Sequence, residues 1–370
     1  MPKIVLTHVT KQWGKFIGVN DLNLEIEDGS FVTLLGSSGC GKTTTLRMIA
    51  GLETPTRGEI RFDDKIVFSS DKNINVPPAK REVGFLFQNY ALWPHMTVTQ
   101  NIAFGLETLK WKKSDISARV QEMLKTMRIE QFADRYPAEL SGGQQQRVAI
   151  ARTLAPKPRV LFMDEPLSNL DAKLRGEMRT ELKRLHRDTG STFVYVTHDQ
   201  LEAMTLSSKI CMMNEGMLQQ YAPPLTVYNR PANLFVADFV GNPSMNIIPA
   251  EAKKIGPKQA EISFLGIQAS FDGEKDFDLG SGDVAIGIRP EFLPISEDGD
   301  IEGLAYSTLP AGMETTVKIK LGDTILSSVV FGAIDYETDA KIRFSVAGSG
   351  ILLFDRQSGK NIACGRLSVR

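Results

Sequence analysis

"FVTLLGSSGCGKTTTLRMIAGL", residues 31–52, decides the fold: a β-branched apolar run (Phe31–Leu35) meets a glycine-rich turn (Gly36–Gly41) and then a helical pattern opening at Lys42. Such a turn points successive backbone N–H groups inward, and the following helix contributes the positive end of its dipole, so together they form a cradle for phosphates. The spacing of Gly36, Gly41, Lys42 and Thr43 is that of a phosphate loop. Lys42 is expected to reach the β- and γ-phosphates of a nucleotide, and the Thr43 hydroxyl to ligate Mg²⁺. Ser37, Ser38, Gly39, Cys40 and Thr44 complete the binding stretch. The Cys40 thiol, beside Lys42, is expected to react with thiol reagents, with ATP protecting it.

Strand, loop and helix in this order call for an α/β domain whose ligand sits at the C-terminal edge of a largely parallel sheet. Further apolar runs supply the sheet: "RVLFMDE" (159–165) and "TFVYVTH" (192–198). Between them Leu170, Leu174, Met178, Leu182 and Leu185 recur at helical spacing, and Gly190 follows as a stop, which predicts a crossover helix. From Gln88 to Pro158 the patterns are helical, with no convincing strand, so about 89–158 reads as an inserted helical subdomain. After "FVGNPSMN" (239–246) short alternating runs separated by Gly and Asp predict a small antiparallel β-barrel. The expected domains are 1–240 and 241–370.

The chain has 370 residues, enough for two or three domains with cores of their own. Lys+Arg 43 against Asp+Glu 44 gives a net charge of -1, which argues against a non-specific nucleic-acid binder. Cys40, Cys211 and Cys364 lack metal or disulfide spacing, as expected of a reducing cytosol. The start "MPKIVLTHVTKQW" lacks a signal-peptide core, and no apolar run approaches the roughly 18 residues that cross a bilayer, so a membrane role is expected to come through a partner.

"VLFMDEP" ends a buried strand in two carboxylates. Asp164 is expected in the Mg²⁺ shell; Glu165, the next residue along, points elsewhere and is the expected general base for in-line attack on a γ-phosphate. His198, at the end of the next strand, is expected to touch a γ-phosphate oxygen. Gln88, where a strand leaves for the helical insert, is expected to contact Mg²⁺ or the attacking water. Trp13, read as lying in an N-terminal loop before the strand "DLNLEIE", offers a π-face to adenine.

"LSGGQ" (140–144) opens an amphipathic helix about 100 residues after the phosphate loop, yet it has no lysine for charge and no acid for a metal. With "GSSGCGKT", Gln88, "LSGGQ", "VLFMDEP", "SNLD" (168–171) and His198 in this order, the chain resembles the nucleotide-binding subunits of ABC transporters. Over its whole length it is similar to the ATPases of bacterial sugar and polyol importers of the maltose-transporter type, on the weaker testimony of "FVGNPSMN" and "IGIRPEFL" (286–293).

The resemblance implies a phosphate-loop cassette of mostly parallel sheet with an antiparallel β part and a helical subdomain, followed by an oligonucleotide-fold-like regulatory barrel. It implies a homodimer with two ATP molecules sandwiched head to tail, in which Ser141, Gly142, Gly143 and Gln144 of one copy meet the nucleotide on the other. Asp171 would lie at the same interface. It implies two transmembrane permease subunits, an indirect periplasmic or extracellular solute-binding protein, no nucleic acid, and a peripheral place on the cytoplasmic face of the membrane. The expected solute is a sugar, oligosaccharide or polyol, with glycerol-3-phosphate, polyamine, sulfate and ferric iron as alternatives. A soluble ABC ATPase acting on nucleic acid or ribosomes is the remote one, disfavoured by the neutral charge and the short gap between phosphate loop and "LSGGQ".

Two readings stay open. Tyr90, Leu92, Trp93 and Pro94, close together and read as exposed, line either a groove for a permease helix or the insert's own core. The β-rich end is either a sensor of a ligand or regulatory protein, or a dimerisation brace.

Overall fold

The structure, a computed structural model, describes residues 2–370. The chain separates into two compact units, one ending at Pro224 and the other comprising Leu225–Arg370.

In the first unit a six-stranded sheet has the order Met217–Ala222, Lys209–Asn214, Phe31–Gly36, Thr192–Thr197, Val160–Asp164, Val83–Leu86. Only the first pair is antiparallel. Phe31–Gly36, Val160–Asp164 and Thr192–Thr197 are buried at every position because both faces of the sheet are covered. Leu161, Met163, Phe193 and Tyr195 point to one core, while Phe162, Val194, Val196 and Leu34 point to the other. The second of these cores also takes in the helix Lys42–Ala50 and a five-stranded antiparallel sheet built on Ile4–Trp13, Phe16–Ile26 and Arg57–Phe62.

The first core is shared with the helical insert. Helices Val98–Thr108, Lys113–Met127 and Gly142–Leu154 lie between two strands that pair in parallel, Val83–Leu86 and Val160–Asp164. Ile102, Leu106, Val120, Leu124 and Val148 pack together there. The crossover helix Ala172–Thr189 is capped by Asp171, stops at Gly190, and buries Met178, Leu182 and Leu185.

The second unit contains a closed six-stranded antiparallel barrel. Beside it the structure adds a four-stranded sheet, in the order Thr324–Phe331, Glu314–Leu321, Ile301–Pro310, Lys341–Phe344. Barrel and sheet share one apolar core, with Phe271, Ile286, Val317, Ile319 and Phe344 among its members.

The division between units falls at Pro224/Leu225, whereas the sequence reading put the domain limit at 240/241. Arg289 supplies the physical link. Buried just after the barrel strand Asp283–Ile288, its guanidinium donates to the carbonyls of Tyr228 (2.7 Å), Ala237 (3.2 Å) and Val240, so the short helices of 224–239 are bonded to the barrel side. Among the described residues no helix is long and apolar enough to cross a membrane.

Phe162 lies in the six-stranded sheet and is fully buried. Phe162→Ala should cost about 3–5 kcal/mol, read as a lowered midpoint in chemical denaturation.

Candidate functional site

The strand Phe31–Gly36 delivers the phosphate loop to the C-terminal edge of the sheet, and helix Lys42–Ala50 begins directly behind it. The bend is possible because Gly41 takes φ +98°, and a Cβ there would collide with the carbonyl of Gly18. Lys42 is almost wholly buried and folds back over the loop, its ammonium donating to the carbonyls of Gly36 (2.9 Å) and Ser37 (2.7 Å). No carboxylate pairs with it among the described residues, so its charge is available to phosphate oxygens.

Opposite the loop, buried Asp164 ends the strand Val160–Asp164 and accepts from the Thr43 hydroxyl at 2.8 Å. Arg47, one helical turn after Thr43, reaches the other Asp164 oxygen at 3.4 Å. Glu165 breaks from the strand with φ +45°, a conformation that costs a residue with a Cβ, and its N–H is held by the carbonyl of Val196 at 3.1 Å. That turn sends the two adjacent carboxylates to different neighbours. Gln88 donates to one Glu165 oxygen at 3.3 Å, and His198 Nδ1 lies 3.4 Å from the other. Asp164 with Thr43 and Glu165 with His198 and Gln88 therefore form two adjoining polar centres.

The cleft here, about 320 Å³, is lined by Ser38, Gly39, Gly41, Lys42, Thr43, Thr44 and Glu165 at one end and by Trp13, Phe16 and Gly18 at the other. Trp13 is the last residue of the strand Ile4–Trp13 rather than part of a loop, because it pairs across a hairpin with Phe16. The two rings stack at 6.2 Å, both exposed, and the Lys11 ammonium lies 5.0 Å from the Trp13 ring centre. Phe16 and Arg47 escaped the sequence reading. Their signals were an aromatic on each side of "GK" (14–15), and a cation four residues after Thr43.

Cys40 does not behave as expected. Its side chain is buried in the second core and absent from the cleft lining, with its Sγ 3.7 Å from the Lys42 ammonium, so the thiol is closed to reagents. Gly36 and Ser37 act through their carbonyls on Lys42.

Ser141–Gln144 stand apart from the cleft lining. Ser141 caps helix Gly142–Leu154: its hydroxyl accepts from the Gln144 N–H, and the Gln144 side chain takes the Ser141 N–H at 2.9 Å. A Cβ on Gly143 would run into Leu174, so the start of this helix abuts the turn that Asp171 caps through the Leu174 N–H at 2.9 Å.

The aromatics after Gln88 divide. Tyr90 is buried in the first core and Leu92 packs against it, which corrects the reading of both as exposed; Pro94 is exposed but outside the groove lining. Trp93, its ring tilted 45° against Phe104 at 4.2 Å, lines a groove of about 790 Å³ with Phe85, Phe87, Leu109 and Arg152.

Fold and site define a phosphate-loop ATPase of the cassette class. The sequence pattern of the ABC transporter family matches residues 19–168. A trehalose/maltose import ATP-binding protein of Thermococcus litoralis is 42% identical over 378 residues, spanning 98% of this chain and 100% of that one. An sn-glycerol-3-phosphate import ATP-binding protein of Ruegeria sp. is 41% identical over 367 residues, with the same two shares. Among solved structures, the dimeric post-hydrolysis state of an ATP-binding cassette bound to ADP and Pi is 34% identical, covers 60% of this chain and 98% of its own, and superposes with a TM-score of 0.52. The chain belongs to the ABC transporter family, as an ATP-binding and ATP-hydrolysing subunit of an importer.

Gly41→Ala should destabilise the loop by about 1–3 kcal/mol and remove the thermal stabilisation that ATP gives the wild-type chain, read by thermal shift with and without nucleotide.

Proposed function

We propose that two copies of this ATPase close head to tail on two ATP molecules and so drive a sugar or polyol through a pair of membrane permeases. One observation carries the reading: the cleft holds the phosphate loop, Glu165 and an aromatic end, while the exposed Ser141 and Gly142 belong to another surface of the same chain. A site completed by a second copy joins the two surfaces. The dimeric cassette with ADP and Pi is in keeping with it.

In this reading the adenine stacks on Trp13 and Phe16, an interaction through ring faces that selects weakly among bases. The loop amides from Ser38 to Thr44, with Lys42, bind the phosphate chain. Thr43, Asp164 and Gln88 would hold Mg²⁺: hydroxyl, carboxylate and amide oxygens are hard ligands, and one carboxylate plus substrate phosphates is the set this ion favours. When bound, the ion supplies charge neutralisation across the β- and γ-phosphates.

Glu165 accepts a proton from the attacking water as its oxygen bonds to the γ-phosphorus and the bond to the β-phosphate oxygen breaks. Gln88 donates to one Glu165 oxygen, so the carboxylate is oriented before the water arrives, and His198, whose Nδ1 lies 3.4 Å from the other oxygen, is placed to reach a γ-phosphate oxygen. Ser141, the amides of Gly142 and Gly143, and the Gln144 side of the motif approach the γ-phosphate from the second copy, with Asp171 beside them. Closure is favoured because ATP touches both halves only in the closed form.

The groove at Trp93 and Phe104 receives a helix of the permease on the cytoplasmic face of the membrane, and a solute-binding protein acts on the far side. The carbohydrate class rests on the trehalose/maltose relative, and the sn-glycerol-3-phosphate relative supports that solute as the alternative. The second unit acts as a regulatory or dimerising domain.

Glu165→Gln should reduce turnover by about 10²–10⁴ and, with ATP, double the mass measured by light scattering; a variant hydrolysing at the wild-type rate removes Glu165 as the base. Ser141→Ala gives up a helix cap worth about 1 kcal/mol and should lose turnover and ATP-driven dimerisation while the monomer keeps its ATP affinity. Loss of that affinity would overturn the shared site.

A further inference from the structure

The segment from Tyr90 to Thr97 joins Gln88, which donates to Glu165, to the groove. Its conformation is not one it would choose alone. Tyr90 and Ala91 are consecutive residues with a Cβ, yet both lie in the left-handed region, at φ +60° and +47°. The Tyr90 hydroxyl is buried without a partner among the described residues. Something must hold the chain there.

Two side chains do. Asn101, fully buried on helix Val98–Thr108, accepts from the Trp93 N–H at 3.0 Å and donates to the carbonyls of Met96 and Thr97 at 3.0 Å each, which fixes the far half. The strained half is held by Arg152, from the last turn of helix Gly142–Leu154, the helix that begins at the signature sequence. Its guanidinium donates to the Ala91 carbonyl at 2.7 Å and to the Tyr90 carbonyl at 2.8 Å, and its carbon lies 4.7 Å from the Trp93 ring centre. Burial lowers the pKa of this group from its ordinary value, a sign of lost hydration that strengthens the bonds it keeps. Only a planar fork can serve both carbonyls and the ring at once.

We propose that Arg152 is a positioning residue for hydrolysis: it locks Tyr90 and Ala91 in their left-handed conformation and thereby keeps Gln88 against Glu165. The inference rests on the assignment of Gln88 and Glu165 to the hydrolytic centre. Arg152 touches neither nucleotide-binding surface described above and acts entirely through the loop. Because it also lines the groove, a partner seated there meets the lock itself.

The test is steady-state ATP hydrolysis by the purified full-length chain, with ATP binding and thermal unfolding measured in parallel. Arg152→Met should lower kcat about tenfold while KM for ATP stays within about twofold. Adding Ala91→Gly, which removes the cost of the left-handed backbone, should recover roughly threefold of that loss, whereas Ala91→Gly alone leaves turnover near wild type. Arg152→Lys, with one point charge in place of the fork, should fall between. If Arg152→Met does not fold, Arg152→Lys with and without Ala91→Gly carries the same comparison. An unchanged kcat in a folded variant, a loss confined to KM, or a loss that Ala91→Gly leaves untouched would each overturn the proposal. A wild-type chain that binds ATP without hydrolysing it would instead overturn the assignment of the hydrolytic centre.

Discussion

The structure of the first unit turns on a sheet with no wet face. Strands such as Phe31–Gly36, Val160–Asp164 and Thr192–Thr197 are buried at every position, so layers must cover both sides. Charged groups then collect where these strands stop. That edge is where Lys42, Asp164, Glu165 and His198 stand, each reached by a strand that could place it nowhere else. A charge as deep as Asp164 persists there because Thr43 and Arg47 occupy its two oxygens.

The same constraint explains what the sequence made readable. Buried strands announce themselves as unbroken apolar runs, and a phosphate loop between strand and helix has one spatial solution, so the parallel sheet, the crossover helix and most of the cleft followed from 31–52, 159–165 and 192–198. Positions set by a particular partner rather than by an unbroken apolar run left no such trace. Trp13 belongs to a strand because of its hairpin partner Phe16; Tyr90 turns inward because backbone strain is opposed by an arginine 62 residues further along; Cys40 turns inward because the loop curls. In the second unit, alternation gave strands but could not apportion them between a closed barrel and a separate sheet, since both bury one face in a common core.

The signature sequence shows how one residue serves a fold and an interface together. The capping box consumes the Ser141 hydroxyl, the Gln144 side chain and the Gln144 amide. It leaves out the amides of Gly142 and Gly143, the first two of the helix, which carry much of the positive end of its dipole. A cap so arranged sets the first turn rigidly without using the groups best suited to an anion. In the proposed dimer this makes the missing lysine intelligible. A second full positive charge beside Lys42 would repel it in the closed state and bind phosphate as firmly in the open one, whereas two oriented amides are strong only when close and dry. Partial charges of this kind favour ATP over its absence at the interface while allowing the halves to part once the γ-phosphate has gone.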